Sequence, residues 1–490
     1  MQPMTAPSTS SSSPSPTGNA LLWLVAIGFF MQTLDATIVN TALPAMARSL
    51  GESPLRMQSV IVAYSLTMAI LIPASGWIAD RFGTRRIYLC AIVLFALGSL
   101  FCALSQSLTQ LVASRVVQGM GGALLLPVGR LAVLRGFPRD QFLRAMSFVA
   151  VPGLIGPLLG PTLGGWLVQV ASWHWIFFIN LPVAVLGCVA TLVWMPDAQA
   201  HTIGRFDLSG YALLAFGMAA VSLSLDGLSS LGLRQASVVV LLIFGLASLV
   251  AYWLHALRRP DPLFSPSLFE VASLRVGLLG NLFARIGSSC MPFLIPLLLQ
   301  VSMGFSPAQA GMMLLPVALA GMAAKPVVTR LILWAGYRRV LVVNTLAVGL
   351  VMASFGLASP EQPLALLILQ LACFGAVNSM QFTAMNTVTL KDMDSAVASS
   401  GNSLLSMVQM LAMGLGVAAA GAVLAGYTGF FGGETDGATA LRSFHATFAT
   451  MGLVTMASAW IFWQLQPDDR RTPDEVKPVK PLETDAVDNV

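Results

Sequence analysis

The chain has 490 residues, is 56% hydrophobic and only 10% charged, and has a mean hydropathy of +0.79. A soluble globular protein carries about 25% charged residues, so this chain cannot cover a water-facing surface and lipid must be its solvent. The net charge of +5 does not point to nucleic acid, because the basic residues sit in short loops between apolar runs.

Residues 1–19 are rich in Ser, Pro and Thr and carry no Lys or Arg. They lack the basic start of a cleaved signal peptide and read as a disordered tail. Fourteen apolar runs follow: 20–41, 57–79, 87–105, 109–132, 143–170, 173–195, 208–226, 236–257, 276–301, 309–333, 338–358, 363–388, 397–425 and 442–466. A helix needs about 20 apolar residues to cross the hydrocarbon core, so each run is a candidate span. Runs 143–170 and 397–425 are long and rich in Gly, which favours tilt or kinks. Residues 467–490 are polar and read as a second disordered tail. Trp and Tyr near span ends, such as Trp173 and Trp175, read as interface anchors.

Lys and Arg set the orientation. With the amino terminus inside, the outside loops hold only Arg48, Arg56, Arg234 and Arg442 of the 26 basic residues. Both termini are therefore expected in the cytoplasm. The five cysteines all fall inside apolar runs, so neither disulfides nor a metal site is expected. His174, His201, His255 and His445 show no ligand spacing.

Gly51, Ser53, Pro54, Pro73, Gly83, Arg85 and Arg86 recur as Gly304, Ser306, Pro307, Pro326, Gly336, Arg338 and Arg339, every pair 253 residues apart. The copies are an even number of spans apart and face the same side. This is the signature of a parallel repeat about an axis along the membrane normal. Six spans per half leave two in the middle, so the architecture reads as six, two, six: 20–195, 208–257 and 276–466.

Asp35 is the carboxylate placed well inside an apolar run. A charge at membrane depth is expensive and marks function by default. Asp35 and Arg115 each lie six residues from the outer end of their spans, roughly 9 Å deep at 1.5 Å per residue. Equal depth allows a salt bridge. Burial favours the neutral form of a carboxylate and a nearby cation the ionised form, so an acid held between them can bind and release a proton. The alternative is a static ion pair that orients two helices.

Four motifs resemble the major facilitator superfamily, and within it the fourteen-helix drug:proton antiporters of the EmrB/QacA type. They are Leu34-Asp35-Ala36-Thr37-Ile38-Val39-Asn40-Thr41-Ala42-Leu43-Pro44, Gly76-Trp77-Ile78-Ala79-Asp80-Arg81-Phe82-Gly83-Thr84-Arg85-Arg86, Arg115-Val116-Val117-Gln118-Gly119, and Gly156-x3-Gly160-Pro161-x2-Gly164-Gly165. Phe30-Met31-Gln32 and Ser399-Ser400-Gly401-Asn402-Ser403 are similar to one branch of that family. The resemblance implies an all-α polytopic protein of the bacterial inner membrane that exports small molecules against protons, without cofactor. It also implies a monomer, possible use of an efflux accessory protein, and no enzymatic activity.

By the same resemblance, Asp35 and Arg115 couple protons. Asp80, Arg81, Gly83, Arg85 and Arg86 form a latch between the halves, although the second copy has Leu333 in place of Asp80. Gly156, Gly160, Pro161, Gly164 and Gly165 mark the antiporter helix. Gly156, Gly160 and Gly164 share one face, where small residues permit close approach; tight packing and a hinge both fit. Gln32, Asn40, Gln118, Arg285, Asn378 and Gln381 are the polar groups expected at a substrate cavity. Arg285 lies mid-span, too deep to reach the interface, whereas Lys325 can snorkel. Arg115, Arg285 and Lys325 outnumber the buried acid, which leaves organic anions as an alternative substrate class. Clustered nucleophiles, bases or metal ligands are missing, as is a phosphate-binding loop, which argues against a membrane enzyme or an ATP-driven pump.

Overall fold

The computed structural model describes residues 16–137, 139–196, 206–231, 236–393, 398–432 and 437–465, and each regular element among them is a helix. Most of both expected tails and His201 lie outside the described residues. In chain order the helices are α1 (Pro16–Leu50), α2 (Gln58–Phe82), α3 (Thr84–Ala103), α4 (Leu108–Gly136), α5 (Arg139–Val170), α6 (Trp175–Phe178), α7 (Asn180–Trp194), α8 (Leu208–Leu231), α9 (Ala236–Arg258), α10 (Ala272–Ser288), α11 (Met291–Leu297), α12 (Pro307–Met312), α13 (Leu315–Ser354), α14 (Leu364–Leu390), α15 (Ala398–Phe430), α16 (Gly437–Ala457) and α17 (Ala459–Trp463). α1 starts four residues before the expected span, with Pro16 in its first turn, where its missing N–H costs nothing.

Among the described residues, thirteen apolar stretches are long enough to cross a membrane. One of them, Pro307–Leu357, has 51 residues, more than twice the length a crossing requires. It breaks at Gly336, whose φ of 76° and ψ of 161° are not helical. Counting two passes about that break gives the fourteen that hydropathy indicates.

The sequence repeat has a backbone cause. Gly51 and Gly304 have φ of 67° and 71°, and Gly83 and Gly336 have φ of 90° and 76°. A side chain in the left-handed region costs about 1–2 kcal/mol, so glycine stands at all four turns. After each first glycine, Ser53 or Ser306 accepts a backbone N–H of the turn that Pro54 or Pro307 opens. The face carrying Gly83 and Gly336 is the basic face; the other is the opposite face.

α1–α7 and α10–α17 form two bundles, and α8 packs against both α2 and α15, where the bundles meet. Carboxylates tie α8 at its two ends. At the opposite face, Asp226 accepts from Gln58 Nε2 at 3.1 Å and from Ser59 Oγ at 3.0 Å. At the basic face, Asp207 accepts from the Gly210 N–H, His255 Nε2 and the Leu263 N–H. Burial works against ionised Asp207, but these bonds outweigh it and hold the carboxyl below its usual range. Asp226 corrects the sequence reading: α8 runs to Leu231 rather than ending at 226, so Asp35 is not the only acid within an apolar helix.

α1 packs closely on α5. Thr33, Thr37 and Thr41 recur every four residues on α1 and face Gly156, Gly160 and Gly164. A Cβ at Gly156 would lie 2.2 Å from Thr33 Oγ1, and one at Gly160 would lie 2.1 Å from Thr37 Oγ1. Pro161 accepts the Thr41 hydroxyl at 3.2 Å. Gly165 faces the other bundle, where a Cβ would lie 2.1 Å from the Pro307 carbonyl. Trp173, expected at an interface, is instead buried in the core shared by the two bundles, whereas Trp175 is exposed.

Gly160→Val should therefore push α1 off α5 and cost about 1–3 kcal/mol, the usual penalty of overpacking. Gly426→Ala has nothing within 4 Å of the added carbon and should leave stability unchanged. Thermal unfolding of both variants in detergent would compare them; equal melting would refute the close packing.

Candidate functional site

Asp35 and Arg115 meet. Arg115 Nη1 lies 2.7 Å from Asp35 Oδ2, and the two side chains are 0% and 1% exposed. Neighbours satisfy the rest of both groups. Arg115 Nη1 also donates to Gln118 Oε1 at 2.6 Å, and its Nε donates to the Val60 carbonyl at 3.3 Å. Gln118 Nε2 and Asn180 Nδ2 donate to Asp35 Oδ1 at 2.7 and 3.2 Å. Both amides also reach Ser99 Oγ. The guanidinium stacks over the Tyr64 ring, 4.1 Å from its centroid. Taking two ions out of water costs several kcal/mol each, and only good geometry with further hydrogen bonds repays it. The spacing Arg115-x-x-Gln118 puts both donors one turn apart on α4, aimed at α1. Sequence reading missed Ser99, Asn180 and Tyr64. Asn180 did carry a signal, as an amide within an apolar run.

A second feature is a cavity of about 380 Å³ between the bundles. Of the expected polar lining, Asn40, Arg285 and Asn378 are there, together with Lys325. The other three are elsewhere. Gln118 is spent on Asp35. Gln381 is buried between Asn344 and Thr345, bonded at 2.8 and 2.6 Å. Gln32 is buried one turn before Ala36 on α1. Arg285 Cζ lies 4.4 Å over the Phe382 ring, and its Nε and Nη2 are shut off from solvent without a hydrogen-bond partner among the described residues. Asp35 does not line the cavity; Ala36, Thr37 and Asn40 of the same helix do.

The cavity is sealed at the opposite face. Gln300, in the π-helical turn Leu298–Ser302, donates to the Thr41 carbonyl at 2.9 Å, and Ser306 bonds Gln169 at 3.2 Å. Gly311 sits against the Pro161 carbonyl and Gly421 against Gln58.

The Gly76–Arg86 loop bonds within its own bundle rather than across the seam. Asp80 pairs with Arg135 of α4, which also donates to Thr84 Oγ1 at 2.6 Å. Arg85 donates to the Leu192 carbonyl of α7. Arg81 lies over Trp77 at 5.3 Å, Arg86 is exposed, and Gly83 makes the turn. In the second copy Arg338 stacks on Trp463 of α17 at 4.4 Å. Each copy thus ties the loop to the last helix of its own bundle.

Two helical bundles around a central cavity, with a buried ion pair behind one wall, define a polytopic membrane transporter. Residues 25–417 match the Major Facilitator Superfamily, and the chain belongs to that family. It is 52% identical over 447 residues to a Serratia proteamaculans protein named "Putative multidrug resistance protein MdtD", covering 91% of this chain and 93% of the relative. An Escherichia coli protein of the same name is 50% identical over 450 residues, covering 91% and 94%. Among solved structures, a POT family transporter bound to 5-aminolevulinic acid superposes with a TM-score of 0.67 at 18% identity, covering 93% and 97%. The human organic anion transporter MFSD10 gives 0.59 at 16%, covering 91% and 100%.

The ion pair should behave as a unit. Arg115→Gln alone strands the Asp35 carboxylate and should cost about 3–5 kcal/mol, whereas neutralising both partners costs less. A double-mutant cycle on thermal unfolding with Asp35→Asn checks this; simple additivity would show the two groups to be independent.

Proposed function

We propose that the chain is a secondary active exporter that couples efflux of small molecules to proton entry by alternating access. One observation carries this reading: α1 takes part in all three working parts. Asp35 holds the ion pair, Ala36, Thr37 and Asn40 form cavity wall, and Thr41 belongs to the seal. A proton on Asp35 removes its charge, weakens its hold on Arg115 and frees α1 to move against the glycine face of α5. That motion reaches the cavity and the seal together. Release of the proton on the other side restores the pair.

The loop charges orient the protein with its basic face in the cytoplasm of a bacterial inner membrane. The sealed opposite face then makes this an inward-facing arrangement. The three parts lie in one chain, which supports a working monomer. The names of the relatives support multidrug-type substrates. A second reading, export of organic anions, rests on the cavity's own charges: Arg285 and Lys325 line it, and among the described residues no carboxylate does.

Asp35→Asn should insert at wild-type levels and lose transport driven by a pH gradient in inverted vesicles. Full pH-driven transport by that variant would remove the coupling role. Arg285→Ala separates the two substrate classes. On the anion reading it loses export of di- and tricarboxylates, and export of lipophilic cations persists. Carboxylate export unchanged from wild type would leave the multidrug reading alone.

A further inference from the structure

A second cavity, of about 470 Å³, lies outside the seam, in the groove between α1, α3 and α7 on the bilayer-facing side of the first bundle. Its walls are apolar except for the Asn180 amide, the Tyr88 hydroxyl and the indoles of Trp23 and Trp194. The two tryptophans sit at the basic-face ends of α1 and α7 and are 54% and 45% exposed. Met31, Phe95 and Asn180 line the far end. From Ala20 to Met31, α1 advances roughly 16 Å at 1.5 Å per residue. One leaflet of hydrocarbon is about 15 Å deep, half of the 30 Å core.

We propose that this groove is a binding site for one acyl chain of an anionic phospholipid from the leaflet on the basic face. The length fits one leaflet. Tryptophans at the mouth mark headgroup depth. Arg85, in the first turn of α3 three residues before the lining Tyr88, supplies a cation on the basic face for a phosphate. The first fifteen residues of the chain are a poor filling, since Ser, Pro and Thr dominate them. The site also has a position of consequence: Asn180, at its closed end, donates to Asp35 at 3.2 Å. A chain terminus packed there keeps the back of the ion pair apolar. The proposal depends on membrane insertion alone and stands whatever the substrate or coupling ion.

Photolabelling in nanodiscs tests it. The probes are two phosphatidylglycerols, one with a diazirine at the chain terminus and one with it near the ester. The terminal probe should label peptides around Met31 and Phe95, and the ester-proximal probe those around Trp23 and Trp194. Both should label well above the exposed α9 residues Ile243 and Phe244, which serve as ordinary lipid-facing surface. Gly187→Leu fills the groove, and its added carbon meets only Ile92, at 3.5 Å. It should cut groove labelling about tenfold, the effect of burying two fewer methylenes. Labelling no stronger than on α9, or an inverted pattern of the two probes in the unaltered protein, overturns the site. Displacement of the label by tetraphenylphosphonium also overturns the lipid assignment, by making the groove a site for lipophilic cations.

Discussion

The ion pair of Asp35 and Arg115 is the constraint around which the first bundle is arranged. Neither group can be left alone in a medium without water. Four helices therefore contribute to satisfying them: α2 through Val60 and Tyr64, α3 through Ser99, α4 through Gln118, and α7 through Asn180. In the second bundle two polar groups are neutral: Asn344, Gln381 and Thr345 in one, Asn281, Asn386 and Gln409 in another. The repeat has thus kept its turns and helix ends while its interior has diverged. One bundle carries a group that a single proton can alter, and the other carries the cations that face the cavity.

Small residues do the complementary work. Gly156, Gly160 and Gly164 bring α5 onto α1, and Gly165 and Gly311 bring α5 and α12 together across the seam. At Gly165 and Gly311 the contacts are backbone against backbone. The charged loop is bound differently: Asp80, Arg85 and Arg338 hold their own bundles rigid in this arrangement.

Much of this was legible in the sequence, because lipid imposes periods and penalties that composition alone reveals. The all-helical membrane class and the offset repeat follow from apolar runs and from glycines that must take positive φ, and the family follows from the resemblance of four motifs. The pairing of Asp35 with Arg115 was permitted by depth, whereas Gln118, expected at the cavity, bonds Arg115 and Asp35 instead. Sequence could not say which way an amide turns. Gln118 and Gln381 look alike as polar residues in apolar helices, and only packing shows that both are consumed by neighbours rather than offered to a substrate. Asp226 was misjudged because hydropathy ended α8 at the acid itself, whereas the helix continues past it and finds Gln58 and Ser59. Asp80 has a partner on α4 that no linear motif could name.

Under the proposed proton coupling, the separation between ion pair and cavity bears on how substrate and proton communicate. In a site shared by both, they compete for the same carboxylate, and a cationic substrate follows naturally. Here Asp35 is closed off behind α1, while the charges facing the cavity are Arg285 and Lys325. Communication then has to pass through the position of α1, which presents one face to the ion pair and another to the cavity. A link of that kind is indifferent to the sign of the substrate's charge. Discrimination falls to the cavity lining, where Arg285 is partly screened by the Phe382 ring and two of its buried donors have no partner among the described residues. Unused donors on a cation cost stability unless something occupies them, and the group best suited to do so is an anionic oxygen.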